Sequence, residues 1–151
     1  MRNKYLSLIL LLAITFLASF IGGFVTSEFK EPWYSNLILS NFSPPSWLFA
    51  PVWTTLYIFM SIAIWRVWQK TFEVKLLKVY LTHLFFNISW SIIFFGFHNI
   101  LLALIDLVII IILILFLMYL YKSRDKLSYY LMIPYLFWSS YALFLNFSIL
   151  V

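Results

Sequence analysis

The sequence predicts an all-α integral membrane protein, a single domain over residues 1–151 built as a bundle of five transmembrane helices. Of its 151 residues, 65% are hydrophobic, whereas soluble domains are about 45–50% apolar. Five stretches are long enough to cross a bilayer, which takes roughly 20 apolar residues. The basic residues fall in alternate connections, as they do when such stretches pass back and forth through a membrane.

The first span is placed at Tyr5–Val25, behind a short basic start, Arg2-Asn-Lys4. That start followed by an apolar run resembles a secretion signal. The run reaches Phe20, however, with no small-x-small cleavage site after it, so a retained helix is expected. Thr26–Pro44 is the one long connection, and it must hold a small ordered structure outside the bilayer. The second span, Pro45–Val67, opens on Ser43-Pro-Pro-Ser-Trp-Leu-Phe-Ala-Pro-Val-Trp. Pro44 and Pro45 suit a first helical turn, while Pro51 is expected deeper, kinking the helix by stripping the Trp47 carbonyl of its partner. Val79–Phe97, Ile100–Tyr121 and Leu127–Leu150 complete the bundle, the last interrupted by Pro134.

With the N-terminus inside, nine of the ten Lys and Arg lie on the inner side: Arg2, Lys4, Arg66, Lys70, Lys75, Lys78, Lys122, Arg124 and Lys126. Lys30 alone lies outside. The positive-inside rule therefore sets N-in, C-out in a cytoplasmic-type inner membrane. The net charge of +5 orients the chain and calls for no nucleic acid; the lipid bilayer is the partner it fits. Absence of cysteine excludes disulfides and thiolate chemistry. No catalytic triad, zinc-ligand spacing or phosphate-binding glycine loop is present, so no metal and no required cofactor are expected.

Depth is the useful measure of what remains, because a helix rises about 1.5 Å per residue. Trp53, Trp90, Trp138 and Asp106 all fall roughly 10–12 Å below the outer face. Tyr5, Tyr80, Tyr121, Tyr129, Tyr130, Trp65 and Trp68 fit the interfacial aromatic belt. The three deep tryptophans do not, which leaves either helix packing or a shaped cavity. His83, Asn87, Trp90, Ser91 and Phe94 share one face of the third helix. Trp138, Ala142, Leu145 and Asn146 repeat the pattern on the fifth, with Ala142 small enough for a close approach. Asp106, a carboxylate at bilayer depth, is read as structural or as functional, either protonated or held by hydroxyls and an indole N–H. His83 lies too near the inner side to pair with it in a proton relay. His98 stands alone at a tight turn. Gly22-Gly23 lies too close to the outer surface to serve as a packing motif.

These residues resemble the tryptophan-rich sensory proteins, TspO, related to the mitochondrial translocator protein or peripheral benzodiazepine receptor. The match runs from Trp33 to Asn146 through Trp33-Tyr34, Pro44-Pro45-x-Trp47, Pro51-Val-Trp53, Leu56-Tyr57, Asn87-x-x-Trp90, Phe94-Phe95-Gly96, Asp106-Leu107, Pro134-Tyr-Leu-Phe-Trp138 and Ala142-x-x-Leu145-Asn146. The resemblance implies five helices around a pocket beneath the first loop, a homodimer, and porphyrin or another tetrapyrrole as ligand. Carried over by position, the ligand-binding residues are Trp33, Tyr34, Trp53, Tyr57, Asn87, Trp90, Trp138 and Ala142. Some bacterial members degrade protoporphyrin in light, which makes Trp33 and Trp138 the candidate catalytic residues. Asp106 and His83 are the candidate proton or polar residues, Asp106 as the coupling group if the protein is a transporter. The chain departs from the family pattern at Leu39, Ser40 and Phe42 in the first loop, at His83 where a glutamine is usual, and at Ala50 where a glycine is usual. Those first-loop changes imply a lid that closes differently.

Overall fold

A computed structural model describes residues 3–151; Arg2, counted above among the inner basic residues, lies outside the described residues. Helix α1 spans Lys4–Phe29. Asn3 caps it, its side-chain oxygen accepting the N–H groups of Tyr5 and Leu6 at 3.1 and 3.0 Å. The helix runs four residues past the expected Val25, because no glycine or proline stops it before Pro32 and the hydroxyls of Thr26 and Ser27 fold back onto helix carbonyls. That extension places Gly22 inside the packed part. Gly22 is buried, and a β-carbon there would come to 3.1 Å of the Ser91 hydroxyl. Contrary to the sequence expectation, it is a point of close helix approach.

The second span also differs in detail. Pro45 is extended, a short 3₁₀ turn covers Ser46–Leu48, and helix α2 starts only at Phe49, running to Thr71. Pro51 therefore occupies the first α-helical turn, where a missing N–H costs nothing. The kink expected at Pro51 is replaced by a change of helix type. Phe72 closes α2 in the left-handed conformation, φ 51°, its N–H returning to the Trp68 carbonyl.

Helix α3, Val74–Ser91, starts five residues before the apolar onset at Val79, because Lys75 and Lys78 can reach headgroups from helical positions. It ends in a π-helical turn, Ile92–Gly96, the kind of irregularity that often re-aims side chains near functional sites. Helix α4, Ile100–Lys122, is capped by Asn99, and helix α5, Lys126–Leu150, by Asp125. Pro134 lies inside α5 and leaves the Tyr130 carbonyl without its helical donor.

The five helices close a ring in the order α1, α2, α5, α4, α3, with α2 also touching α3 across the middle. One end, here the loop end, gathers the Lys30–Pro45 connection, the α3–α4 turn and the C-terminus. The other, the basic end, gathers the N-terminus and the α2–α3 and α4–α5 turns. All five helices are long and apolar enough to span a membrane, and large apolar side chains such as Phe20, Phe85 and Ile112 face outward. The protein is accordingly a multi-pass integral membrane protein.

Between helices in lipid, close packing and polar links replace the hydrophobic drive of water. At the basic end Asp125 receives Arg66 at 2.8 and 3.2 Å and Lys70 at 2.6 Å, while Arg124 grips Glu73 at 2.9 and 3.0 Å. Burial works to raise the Asp125 carboxyl, but Arg66, Lys70 and Ser128 together hold it well below the usual carboxylate range. The Trp65 indole donates to the Lys4 carbonyl at 3.0 Å, tying α2 to the start of α1. Two tyrosines assigned by depth to the interfacial belt, Tyr80 and Tyr121, are instead fully buried, and Trp68 is 6% exposed. For Tyr80 the cause is visible: its hydroxyl meets Thr15 of α1 at 2.6 Å, so the ring points into the bundle toward the middle of α1.

Candidate functional site

The aromatic residues of the loop end form two groups. On α2, Trp53 stacks on Tyr57 one turn later, with centroids 5.7 Å apart at 29°. Its indole stands edge-on to Tyr135 at 6.3 Å and to Trp138 at 6.4 Å, both on α5. Trp53 and Trp138 thus share a level. Behind them the Tyr57 hydroxyl donates to Asn87 Oδ1 at 2.8 Å, Asn87 Nδ2 donates to the Tyr135 hydroxyl at 2.9 Å, and that hydroxyl lies 2.6 Å from His83 Nε2. A single buried chain of hydrogen bonds therefore ties α2, α3 and α5 together. Ala142, half-buried, packs against the same cluster.

The second group forms the foot of the first loop. Trp33 stacks on His98 at 4.3 Å and 10°, and meets Phe94 edge-on at 5.1 Å. His98 is not alone at its turn. It adopts the left-handed conformation, φ 56°, which few non-glycine residues do, and its ring becomes the platform for the loop tryptophan. Tyr34 packs on Phe95 at 5.8 Å under the Lys30 ammonium, 4.9 Å from the ring. Burial, and after it the Glu31 carboxylate, raises the Tyr34 hydroxyl above its ordinary value. The loop's far side is pinned to α5, where the Tyr141 hydroxyl donates to the Phe42 carbonyl and the Phe42 ring meets Phe144 at 6.0 Å. Of the residues departing from the family pattern, Phe42 is therefore an anchor of the loop. Ser40 shapes its turn by accepting the Phe42 N–H at 3.1 Å.

Trp90 joins the groups, packing against both apolar clusters and stacking on Phe94 at 4.9 Å and 14°. Its N–H is spent on Asn146 Oδ1 at 3.1 Å, and Asn146 in turn donates to the Ile100 carbonyl at 3.1 Å. The structure thus brings Trp53, Tyr57, Asn87, Trp138 and Ala142 into one cluster, sets Trp33 and Tyr34 in another, and runs Trp90 between. His83 belongs to the first. Asp106 is buried on α4, its Oδ2 without a hydrogen-bond partner; neither a hydroxyl nor the Trp90 indole holds it.

An open apolar groove of about 540 Å³ runs between α2 and α5, lined among others by Pro51, Thr55, Pro134, Trp138 and Tyr141. Trp138 is the expected ligand residue that lines it, and the two prolines sit on facing walls. The volume falls within the roughly 300–1,000 Å³ of small-molecule sites. Among the described residues no group of His, Asp and Glu has the arrangement of a metal site.

Sequence reasoning missed Tyr135 as a site residue, and it set Asn146 on the Trp138 face without giving it a role. Both signals were present. Tyr135 lies three residues before Trp138 on the same face, and Asn146 lies two turns beyond it.

The TspO/MBR family matches residues 9–151. The chain is 35% identical to the tryptophan-rich protein TspO of Chlorobaculum tepidum over 155 aligned positions, covering 99% of this chain and 98% of that protein. It is 35% identical to the tryptophan-rich protein TspO of Archaeoglobus fulgidus over 133 positions, 86% of each. Against the translocator protein of Homo sapiens the identity is 32% over 142 positions, 88% of this chain and 84% of that one. With residues 9–151 matched and Trp53, Trp90 and Trp138 packed between five ringed helices, the chain belongs to the TspO/MBR family.

Proposed function

We propose that this protein binds a porphyrin or related tetrapyrrole at the loop end and serves in sensing, regulation or transport of such compounds. The observation that carries this reading is the contact of Trp53, Tyr57 and Trp138 beside a groove framed by two prolines. Indole faces stack on a flat macrocycle, and an apolar groove accepts its body. The names of relatives, sensory and translocator, agree with a ligand-handling role. Because the Trp90 N–H is committed to Asn146, a propionate on the ligand must find its donors elsewhere or displace that bond.

Titration of the purified protein in detergent with protoporphyrin, followed by tryptophan quenching, tests the reading. Saturable quenching that weakens in Trp138→Phe supports it. Equal, non-saturating quenching in both proteins means the porphyrin enters micelles, and the reading fails.

A second reading, light- and oxygen-dependent degradation of protoporphyrin, is favoured by the exposure of Trp138 at the groove. Aerobic illumination then yields a new product that Trp138→Phe fails to make, and an undiminished yield removes Trp138 from that role. Trp33, stacked on His98 in the other cluster, is the second candidate donor. A third reading, proton-coupled transport through Asp106, rests on its unpartnered buried oxygen; proteoliposome transport undiminished in Asp106→Asn ends it.

The reading includes an N-in, C-out orientation and a homodimer. The chain has no cysteine, so single cysteines at Ser123 and Ser40 report the two sides cleanly to a membrane-impermeant thiol reagent. Crosslinking in native membranes reports the dimer.

A further inference from the structure

Tyr135 is where the aromatic chain and the hydrogen-bond chain cross. Its ring touches Trp53, and Trp53 touches Trp138 at the groove, each step an edge-on contact of 6.3 or 6.4 Å between centroids. Its hydroxyl is fully buried, accepts the Asn87 N–H at 2.9 Å and lies 2.6 Å from the ring nitrogen of His83. Tyr57 holds Asn87 in the orientation that donates. Of the groups beside the Tyr135 hydroxyl, His83 Nε2 is the base; the Ser139 hydroxyl, one turn along α5, takes up no proton. Helix packing alone needs no such base. A glutamine, usual at this position in the family the chain resembles, offers a hydrogen bond but no basic nitrogen.

A phenol gives up an electron readily only when its proton can leave at the same time, which requires a base in hydrogen-bond contact. We propose that Tyr135 is a redox-active tyrosine that refills electron holes created at Trp138. A photo-excited aromatic macrocycle in the groove takes one electron from Trp138 and becomes its radical anion. Trp53 passes an electron to the Trp138 radical cation, and Tyr135 re-reduces Trp53. As it does so, the Tyr135 O–H bond breaks and an N–H bond forms at His83 Nε2. A neutral tyrosyl radical is left beside an imidazolium, with the Asn87 N–H and the new His83 N–H both pointing at the radical oxygen. Return of one electron reverses both steps. The macrocycle as natural oxidant rests on the porphyrin reading above; the relay of residues does not.

The test uses no porphyrin, so failure of the relay is distinct from failure of that reading. Full-length protein in detergent is illuminated with ruthenium tris-bipyridine and persulfate, frozen, and examined by electron paramagnetic resonance with and without a water-soluble paramagnetic relaxer. Exposed tyrosyl radicals, such as those of Tyr5, Tyr119 and Tyr130, are broadened by the relaxer; a radical at Tyr135 is not. The expected result is a relaxer-insensitive tyrosyl signal that disappears in Tyr135→Phe and is lost or replaced by a tryptophan radical in His83→Gln. The same signal falls in Trp138→Phe, a half-buried position whose substitution leaves the buried network intact and so decides the matter if Tyr135→Phe does not fold. Absence of that signal in the wild type overturns the proposal, as does its persistence in Tyr135→Phe or its full strength in both His83→Gln and Trp138→Phe.

Discussion

Substituting Tyr57→Phe and Asn87→Leu, singly and together, measures the hydrogen bond that joins α2 to α3 behind the candidate site. Tyr57, Asn87 and Tyr135 are 7%, 9% and 0% exposed, so no headgroup or bulk water replaces a lost partner. Tyr57→Phe leaves Asn87 Oδ1 buried without its donor, at a cost of about 1 kcal/mol. Asn87→Leu strands the Tyr57 hydroxyl, about 1–3 kcal/mol for a buried group left unsatisfied, and removes one of two bonds at Tyr135, about 0.5–1.5 kcal/mol. Those figures come from water-soluble proteins. Pairwise couplings in a membrane bundle average about 0.6 and reach about 1.7 kcal/mol, because the unfolded helices also find partners in lipid. The depth of this network argues for the upper part of that range, a coupling of about 1–1.5 kcal/mol. With leucine already at position 87, the further change Tyr57→Phe then costs almost nothing. Reversible unfolding in mixed micelles of increasing dodecyl sulfate, followed by circular dichroism, gives the four stabilities. Single effects that add to within about 0.3 kcal/mol would refute the reasoning, since that is how residues without a shared interaction behave.

At the basic end, Asp125→Asn keeps a capping side chain for α5 but loses the charge that Arg66 and Lys70 address. Asp125→Ala loses both and unfolds more easily by about a further 1 kcal/mol in the same assay. The Asp125 carboxyl is held below its ordinary value, so its contribution is fully present above the unfolded carboxylate value near about 4 and is lost as the pH falls toward the depressed one. An acid titration of stability steepens there in the wild type and flattens in Asp125→Asn. Trp33→Ala removes the stack on His98 and frees the near side of the first loop, read as faster proteolysis within residues 34–42 while the helices stay protected. Ser91→Ala offsets part of the destabilisation of Gly22→Ala, because the hydroxyl that a new methyl group would meet at 3.1 Å is gone.

The five spans were legible because apolar length is a strong signal, and the bounds of α4 and α5 moved by no more than one residue. The misplaced boundaries have physical causes. Polar residues that bond their own helix prolonged α1, lysines that reach outward advanced α3, and α2 began only after the non-helical Pro44 and Pro45 and the 3₁₀ turn over Ser46–Leu48. Depth along a helix could be counted, which set Trp53 and Trp138 level with one another. Rotation about the helix axis was less legible: Tyr80 and Tyr121 look like belt residues by depth and point inward in the fold. Polar pairing was the least legible. Nothing in the spacing says that Asn87 reaches Tyr57 and Tyr135, or that Asn146 claims the Trp90 indole, because those partners come from other helices.

Every ion pair among the described residues, Arg66 and Lys70 with Asp125 and Arg124 with Glu73, sits at the basic end. The loop end is held by ring contacts, by hydrogen bonds that are neutral apart from Ser35 to the Glu31 carboxylate, and by the Lys30 ammonium over Tyr34. Salt reaches the two ends unequally: ionic strength loosens the turns that carry charge and barely alters the mouth where a ligand enters. A ligand affinity indifferent to salt, in a protein whose melting temperature is not, is the behaviour this division of forces imposes.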